Sequence, residues 1–247
     1  MSQVETKLES NVLCLTLQRP DKKNALSQQM YQQLAEALEQ AAENDAVHVV
    51  LLQGQKDCFT AGNDLQDFID GGELNEQHPT VRFLYKLAEF SKPLVAAVGG
   101  LAIGIGTTAL MHCDLVYATR TTRFQLPFTK LGLCPEAASS LLLPQLIGYH
   151  RACEYLLLGE AFDGESAYRM GLVNQLVEPE QLLDYAMSKA QQLAALPAQA
   201  VQSSKHLMKA NQREALQYTL REELNEFQQL LHSDACQQAV KQFFQKK

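Results

Sequence analysis

Apolar positions recur along this chain with two periods. "NVLCLTLQRP" (11–20) is an apolar run stopped by Pro20 and reads as a strand. The charged "DKKNAL" follows as a loop. Ser27 then stands as N-cap of a helix through Glu43, with Met30, Leu34, Ala37, Leu38 and Ala41 on one face. "VHVVLLQG" (47–54) is a second, buried strand, so the three elements predict a parallel pair with a right-handed crossover. The polar stretch 66–79, with Gly71, Gly72 and Pro79, reads as a mobile loop, and 80–91 as a helix. "LVAAVGG" (94–100) and "DLVYAT" (114–119) are further strands, separated by a turn and helix in "LAIGIGTTALMHC". Beyond about residue 135 the helical period takes over. It predicts helices over 137–146, 148–157, 164–170, 180–195, 198–210, 213–231 and 234–244, with one strand at 172–178. The expectation is an α/β core over residues 1–190 and a helical C-terminal region over 191–247.

Composition narrows the function. The 247 residues are 46 % hydrophobic and 20 % charged, which is ordinary for a globular chain. A net charge of −7 without a basic run argues against nucleic acid as a partner. No apolar run reaches membrane-spanning length, "MSQVETKLES" lacks a secretory apolar core, and the C-terminal "QKK" matches no lipidation signal. Six cysteines without CxxC spacing and six histidines without an HExxH pair predict free thiols, a cytoplasmic location and no metal site.

Three segments carry chemistry. In "FTAGNDL" (59–65), Ala61 and Gly62 let a ligand approach the backbone, while Asn63 and Asp64 suit a turn into a helix; an ordinary strand-to-helix turn uses the same letters. "GGLAIGIGTTALMHCD" (99–114) places glycines before a helix start near Gly106. Free N–H groups there favour an anion or a developing oxyanion, and close packing of strand on helix explains the glycines equally well. It matches neither GxGxxG nor a P-loop. "LGLCPEAASS" (131–140) holds one carboxylate, Glu136. Either Pro135 and Glu136 open a helix, or Glu136 is a base in an apolar pocket.

The order of these segments resembles the crotonase superfamily, the enoyl-CoA hydratase/isomerase family. "RPDKKNALS" is similar to its first loop, "FTAGNDL" and "GLAIGIGTTALMHCDLVYA" to its two oxyanion segments, "FQLPFTKLGLCPEAASSLLLPQLIG" to its catalytic segment and "GLVNQLVEPEQL" to the strand and turn beyond, over roughly residues 8–190. The resemblance implies a spiral of ββα turns with a helical trimerisation region, and a homotrimer or dimer of trimers. It implies an acyl-CoA thioester as ligand, with coenzyme A part of the substrate and no permanently bound cofactor. The backbone N–H groups of Ala61 and Ile105 would form the oxyanion hole. Arg19, Lys22 and Lys23 would meet the CoA phosphates. Ala25, Gly62, Asn63, Asp64, Leu65, Gly104, Gly106 and Phe128 would line the path of the thioester, and 66–79 with 80–91 the acyl channel.

Hydratases of the family carry two glutamates, at the places of Thr108 and Phe128 here, so a two-carboxylate hydration has no residues to run on. "PE" at 135–136 with "GNDL" resembles instead the peroxisomal-type Δ3,Δ2-enoyl-CoA isomerases. Glu136 would then take a proton from C2 and return it to C4, its pKa raised by Leu126, Phe128, Leu133 and Leu141. The alternatives are a ring-opening oxepin-forming isomerase, a hydratase with unusual residues, or a non-catalytic acyl-CoA-binding protein on the same fold.

Overall fold

The computed structural model describes residues 2–69 and 71–245. Met1, Asp70 within the 66–79 stretch, and the last two residues of "QKK" lie outside them. Strands β1 (Val4–Glu9) and β2 (Val12–Leu17) form an antiparallel hairpin whose turn residues, Ser10 and Asn11, both have positive φ. Of β1 only Val4 is buried, so the strand carries no apolar alternation and the sequence reading passes over it.

Helix α1 (Gln28–Glu43) follows, with Ser27 Oγ accepting from Met30 N as the N-cap pattern predicts. It leads to β3 (Val49–Gln53), parallel to β2. Then come α2 (Leu65–Ile69), α3 (Pro79–Glu89), β4 (Leu94–Val98), β5 (Leu101–Ile103), α4 (Ile105–Thr108), β6 (Leu115–Ala118) and β7 (Arg123–Gln125). The second half holds α5 (Ser139–Ile147), α6 (Tyr149–Leu156), β8 (Ala161–Asp163), α7 (Gly164–Arg169), β9 (Gln175–Leu176), α8 (Leu182–Ala194), α9 (Ala198–Ala210), α10 (Arg213–Leu231) and α11 (Asp234–Gln245).

The main sheet has the order β1-β2-β3-β4-β6-β9 and is parallel apart from the β1–β2 hairpin. Successive side chains of its inner strands alternate between two apolar layers. Leu15, Leu17, Val50, Leu52, Leu94, Ala96 and Val98 face the layer that contains α1 and α3. Cys14, Val49, Leu51, Val95 and Ala97 face Leu182, Ala186, Ala190 and Ala194 of α8. A small second sheet, β5-β7-β8, has strands of three residues each, too short to show a period.

Three boundaries differ from expectation. Helix α8 runs unbroken through 190–191, anchored on the sheet by its alanines, so the chain leaves the core only after Ala194. The stretch 66–79 is not an open loop: α2 buries Phe68 edge-on to Phe227 at 5.7 Å, and Leu74 N donates to Gln228 Oε1 at 2.6 Å. Helix α5 begins at Ser139, not 137, because Ala137 and Ala138 are left-handed. The C-terminal helices pack on the segment before α5: Phe227, Leu231, Cys236 and Val240 share one apolar cluster with Leu126, Phe128, Leu133 and Leu143.

Candidate active site

Glu136 lies between β7 and α5 with only 6 % of its surface exposed. Burial pushes its carboxyl up to about 8; the Thr108 hydroxyl, donating to Oε1 at 2.5 Å, opposes the rise, and the charge of Glu223 adds to it. Tyr31 of α1 is fully buried close by. Burial and then the Glu136 charge hold its phenol well above the usual range, and its hydroxyl donates to Asn63 Oδ1. Tyr31 thus joins Asn63 to the surroundings of Glu136. The sequence reading missed it, since an aromatic at helical spacing reads as core.

The backbone that presents Glu136 is strained. Ala137 and Ala138 have φ of 57° and 55°, a region that costs an L-residue about 1–2 kcal/mol. Ser139 closes the turn, its N–H and Oγ both donating to Glu136 O at 3.1 and 2.6 Å. The His112 ring donates from Nε2 to Ala137 O at 2.8 Å; burial pushes this imidazole down to about 4, so it is neutral at ordinary pH. Neither Pro135 nor Glu136 opens the helix. The carboxylate at the start of α5 is Glu223, from α10.

Segments 60–65 and 99–106 lie against each other. Thr60 and Ala102 form a parallel bridge, and Ile103 N donates to Thr60 O at 3.1 Å. A Cβ on Gly62, whose φ is +90°, would stand 2.8 Å from Ile103 O, and one on Gly106 would stand 2.5 Å from Thr60 Cγ2. Gly104 precedes α4 with φ of 57°, and the Phe128 ring comes within 4.0 Å of where its Cβ would lie. The close-packing reading of these glycines therefore holds: they permit the two segments to touch.

The donor expected at Ala61 is corrected. Ala61 N–H donates to Lys23 O at 2.9 Å, so it is engaged inside the fold. Leu26 bridges to Asn63 by taking Gly62 O and Asp64 N, which leaves the Asn63 N–H on the other side. Among the described residues, neither Asn63 N–H nor Ile105 N–H has a hydrogen-bond acceptor. Ile105 is the first residue of α4, where an N–H has no intrahelical partner, and its side chain is buried in the core. Which amide of "TAGN" is free depends on the distant Lys23 and Leu26, and local spacing carries no trace of that.

The first loop also differs from expectation. Arg19 pairs with Asp64 at 2.8 Å and donates to Ala25 O at 2.9 Å, with both charged side chains largely buried. It therefore ties the loop to the segment where α2 starts at Leu65, and is not a free cation for a phosphate. Lys22 and Lys23 are exposed. Asn24, which the sequence reading missed, is fully buried and bonds the loop to Gln55 and Phe59. Phe128 packs edge-on to Phe227 at 6.4 Å, so the position brings an apolar wall and no charge.

Among the described residues no group of His, Cys, Asp or Glu could hold a metal, and no helix is long and apolar enough to cross a membrane. The six cysteines are free. A cavity of about 650 Å³ is lined by Phe90, His112, Lys205 and Arg213 among others and does not include Glu136. Chemistry locates the site: a buried carboxylate of raised pKa is tied by Thr108 to the helix that Ile105 starts, and Tyr31 feels its charge while bonding Asn63, a combination that can move a proton while a carbonyl oxygen gains charge.

Comparison with known proteins identifies the family. Residues 7–247 match the family described as Enoyl-CoA hydratase/isomerase. The chain is 34 % identical over 245 residues to Enoyl-CoA delta isomerase 2 of Rattus norvegicus, covering 97 % of this chain and 62 % of that protein. It is 32 % identical over 250 residues to the 2,3-dehydroadipyl-CoA hydratase of Escherichia coli, covering 100 % and 97 %. The solved structure of Pseudomonas aeruginosa OdaA superposes with a TM-score of 0.96 at 43 % identity, covering 98 % of this chain and 99 % of that one.

Proposed function

The chain belongs to the enoyl-CoA hydratase/isomerase family, and from that premise we propose that it moves the double bond of a 3-enoyl-CoA to the 2-trans position. Glu136 carries the proposal: a single buried carboxylate faces Thr108, and no second carboxylate stands at 108 or 128. Glu223, the nearby acid, is occupied by donors from Ala138 and Ser140 and offers little to an attacking water.

In this mechanism Glu136 takes a proton from C2 of the acyl chain. The electrons move toward the thioester oxygen, giving a dienolate. The amides of Asn63 and Ile105 stabilise that oxygen, and losing one such donor typically costs about 2.7–4 kcal/mol of barrier. Glu136 then returns the proton to C4, and the double bond ends conjugated to the carbonyl. General acid–base action of this kind contributes about 10²–10⁴-fold. Phe128 and Leu126 exclude water, which disfavours hydration. Lys22 and Lys23 meet the CoA phosphates, and the acyl chain runs along Phe68, Phe128 and Leu133. A homotrimer or a dimer of trimers is the expected assembly.

A substrate panel tests the reading. With 3-enoyl-CoA, absorbance of the conjugated thioester should rise. A hydratase would instead remove the conjugated absorbance of 2-enoyl-CoA, and a binding protein would change neither.

A further inference from the structure

Helix α5 starts without a cap of its own. Its N-cap residue is Ala138, and no local side chain accepts the first free amides. The partner comes from 85 residues away. Glu223, on the C-terminal helix α10, accepts from Ala138 N at 2.6 Å through Oε2, and from Ser140 N at 2.9 Å and Ser140 Oγ at 2.5 Å through Oε1. All three contacts donate to the carboxyl, which favours its charged form and opposes the burial that pushes its pKa up. Glu223 is itself only 7 % exposed.

The grip falls on a demanding piece of backbone. Two consecutive alanines are left-handed directly after Glu136, with no glycine to relieve them. Such a turn persists only where its surroundings over-determine it. His112 holds the Ala137 carbonyl, Ser139 holds the Glu136 carbonyl, and Glu223 holds the amides of Ala138 and Ser140. We propose that Glu223 is a positioning residue for Glu136: from α10 it clamps the left-handed turn that presents the reacting carboxylate, and so makes the C-terminal helical region part of the active site.

Glu223 also acts through space. Its charge raises the pKa of Glu136. The other polar and titratable groups around Glu136 are Thr108 from α4, Tyr31 from α1 and Cys134 from its own segment, with the neutral His112 behind the turn. Around Glu223 stand Ser140 from α5, and Cys134, whose Sγ donates to the Glu223 backbone carbonyl at 3.7 Å. A helix cap with no positioning role would lower folding stability and, once its charge is removed, lower the Glu136 midpoint, but it would leave kcat at the alkaline plateau unchanged.

The kinetic part of this inference rests on the isomerase reading; the titration part does not. The test is Glu223→Gln in the full chain, with carbon-13-labelled glutamate carboxyls titrated by NMR and the Glu136 signal identified by its loss in Glu136→Gln. In Glu223→Gln the Glu136 midpoint should fall by about half a pH unit or more, because a like charge has been removed. The kcat for 3-enoyl-CoA should fall by about tenfold or more at a KM within about twofold of wild type, as expected when a reacting group is misplaced. A kcat at the alkaline plateau equal to wild type overturns the proposal, whatever the midpoint. If Glu223→Gln does not fold, Ser140→Ala removes one of the three donors and keeps the buried charge paired. It should lower kcat at constant KM, and an unchanged kcat overturns the proposal. If the wild type does not act on 3-enoyl-CoA, the isomerase reading fails, and the titration in Ser140→Ala, which keeps the Glu223 charge, decides the role of Glu223: a moved Glu136 midpoint supports positioning and an unmoved one overturns it.

Discussion

Thr108 donates its hydroxyl to the Glu136 carboxylate at 2.5 Å, with Thr108 fully buried and Glu136 nearly so. The bond favours the charged form, against the burial that disfavours it. In Thr108→Val, a close match in shape, that support is lost and the Glu136 pKa rises further. At pH 7 less of the base is ionised, and kcat/KM should fall by about 10-fold while the acid limb of the profile moves to higher pH. A pH series on both proteins checks both the size and the direction.

The wild-type pH profile follows from the same group. As a base, Glu136 works deprotonated, and its carboxyl sits at about 8. The value of kcat/KM should therefore climb about tenfold per pH unit below that midpoint and level off above it. A profile already flat between pH 5 and 7 would mean that the base titrates in the ordinary carboxylate range.

Stability should run opposite to activity. The folded pKa of Glu136 lies above its unfolded value, so the folded state binds more protons between about pH 4.5 and 8, and stability contributed by this group falls as pH rises through that window. Glu136→Gln carries no such charge. It should melt above wild type at pH 9, by on the order of 2 kcal/mol, and the gap should close near pH 4. Calorimetry at the two pH values gives the answer.

Gly62 and Gly72 offer a matched pair, since both have positive φ. An added methyl at Gly62 meets Ile103 O at 2.8 Å, whereas at Gly72 it meets nothing within 4 Å. Gly72→Ala should cost only the conformational term, about 1 kcal/mol, with activity kept. Gly62→Ala should cost at least about 2 kcal/mol and lower kcat, because segments 60–65 and 99–106 must part. Thermal unfolding with steady-state kinetics separates the two.

Much of this site is legible in the sequence, for identifiable reasons. The inner strands of the main sheet announce themselves because both faces are buried, as in "LVAAV" at Leu94–Val98, whereas the edge strand β1 does not. Glu136 and Ile105 stand out through the resemblance of their segments to the family, since spacing alone leaves a helix opening and close packing equally open. What stays hidden is non-local. The commitment of Ala61 N–H to Lys23 O, the pairing of Arg19 with Asp64, and the reach of Glu223 to Ala138 each join residues tens of positions apart. The strands of the second sheet escape because three residues cannot display alternation. The start of α5 escapes because "PEAASS" has the composition of a helix opening, while tertiary contacts hold its alanines left-handed.

Proton transfer by Glu136 is measured directly by deuterium uptake. In D2O, wild type given 3-enoyl-CoA should form 2-enoyl-CoA, with exchange detectable by proton NMR at C2 or C4. Glu136→Gln should bind the thioester with about the same Kd, yet turn over and exchange about 10²–10⁴-fold more slowly. Turnover and exchange in Glu136→Gln at the wild-type rate would show that another group moves the proton.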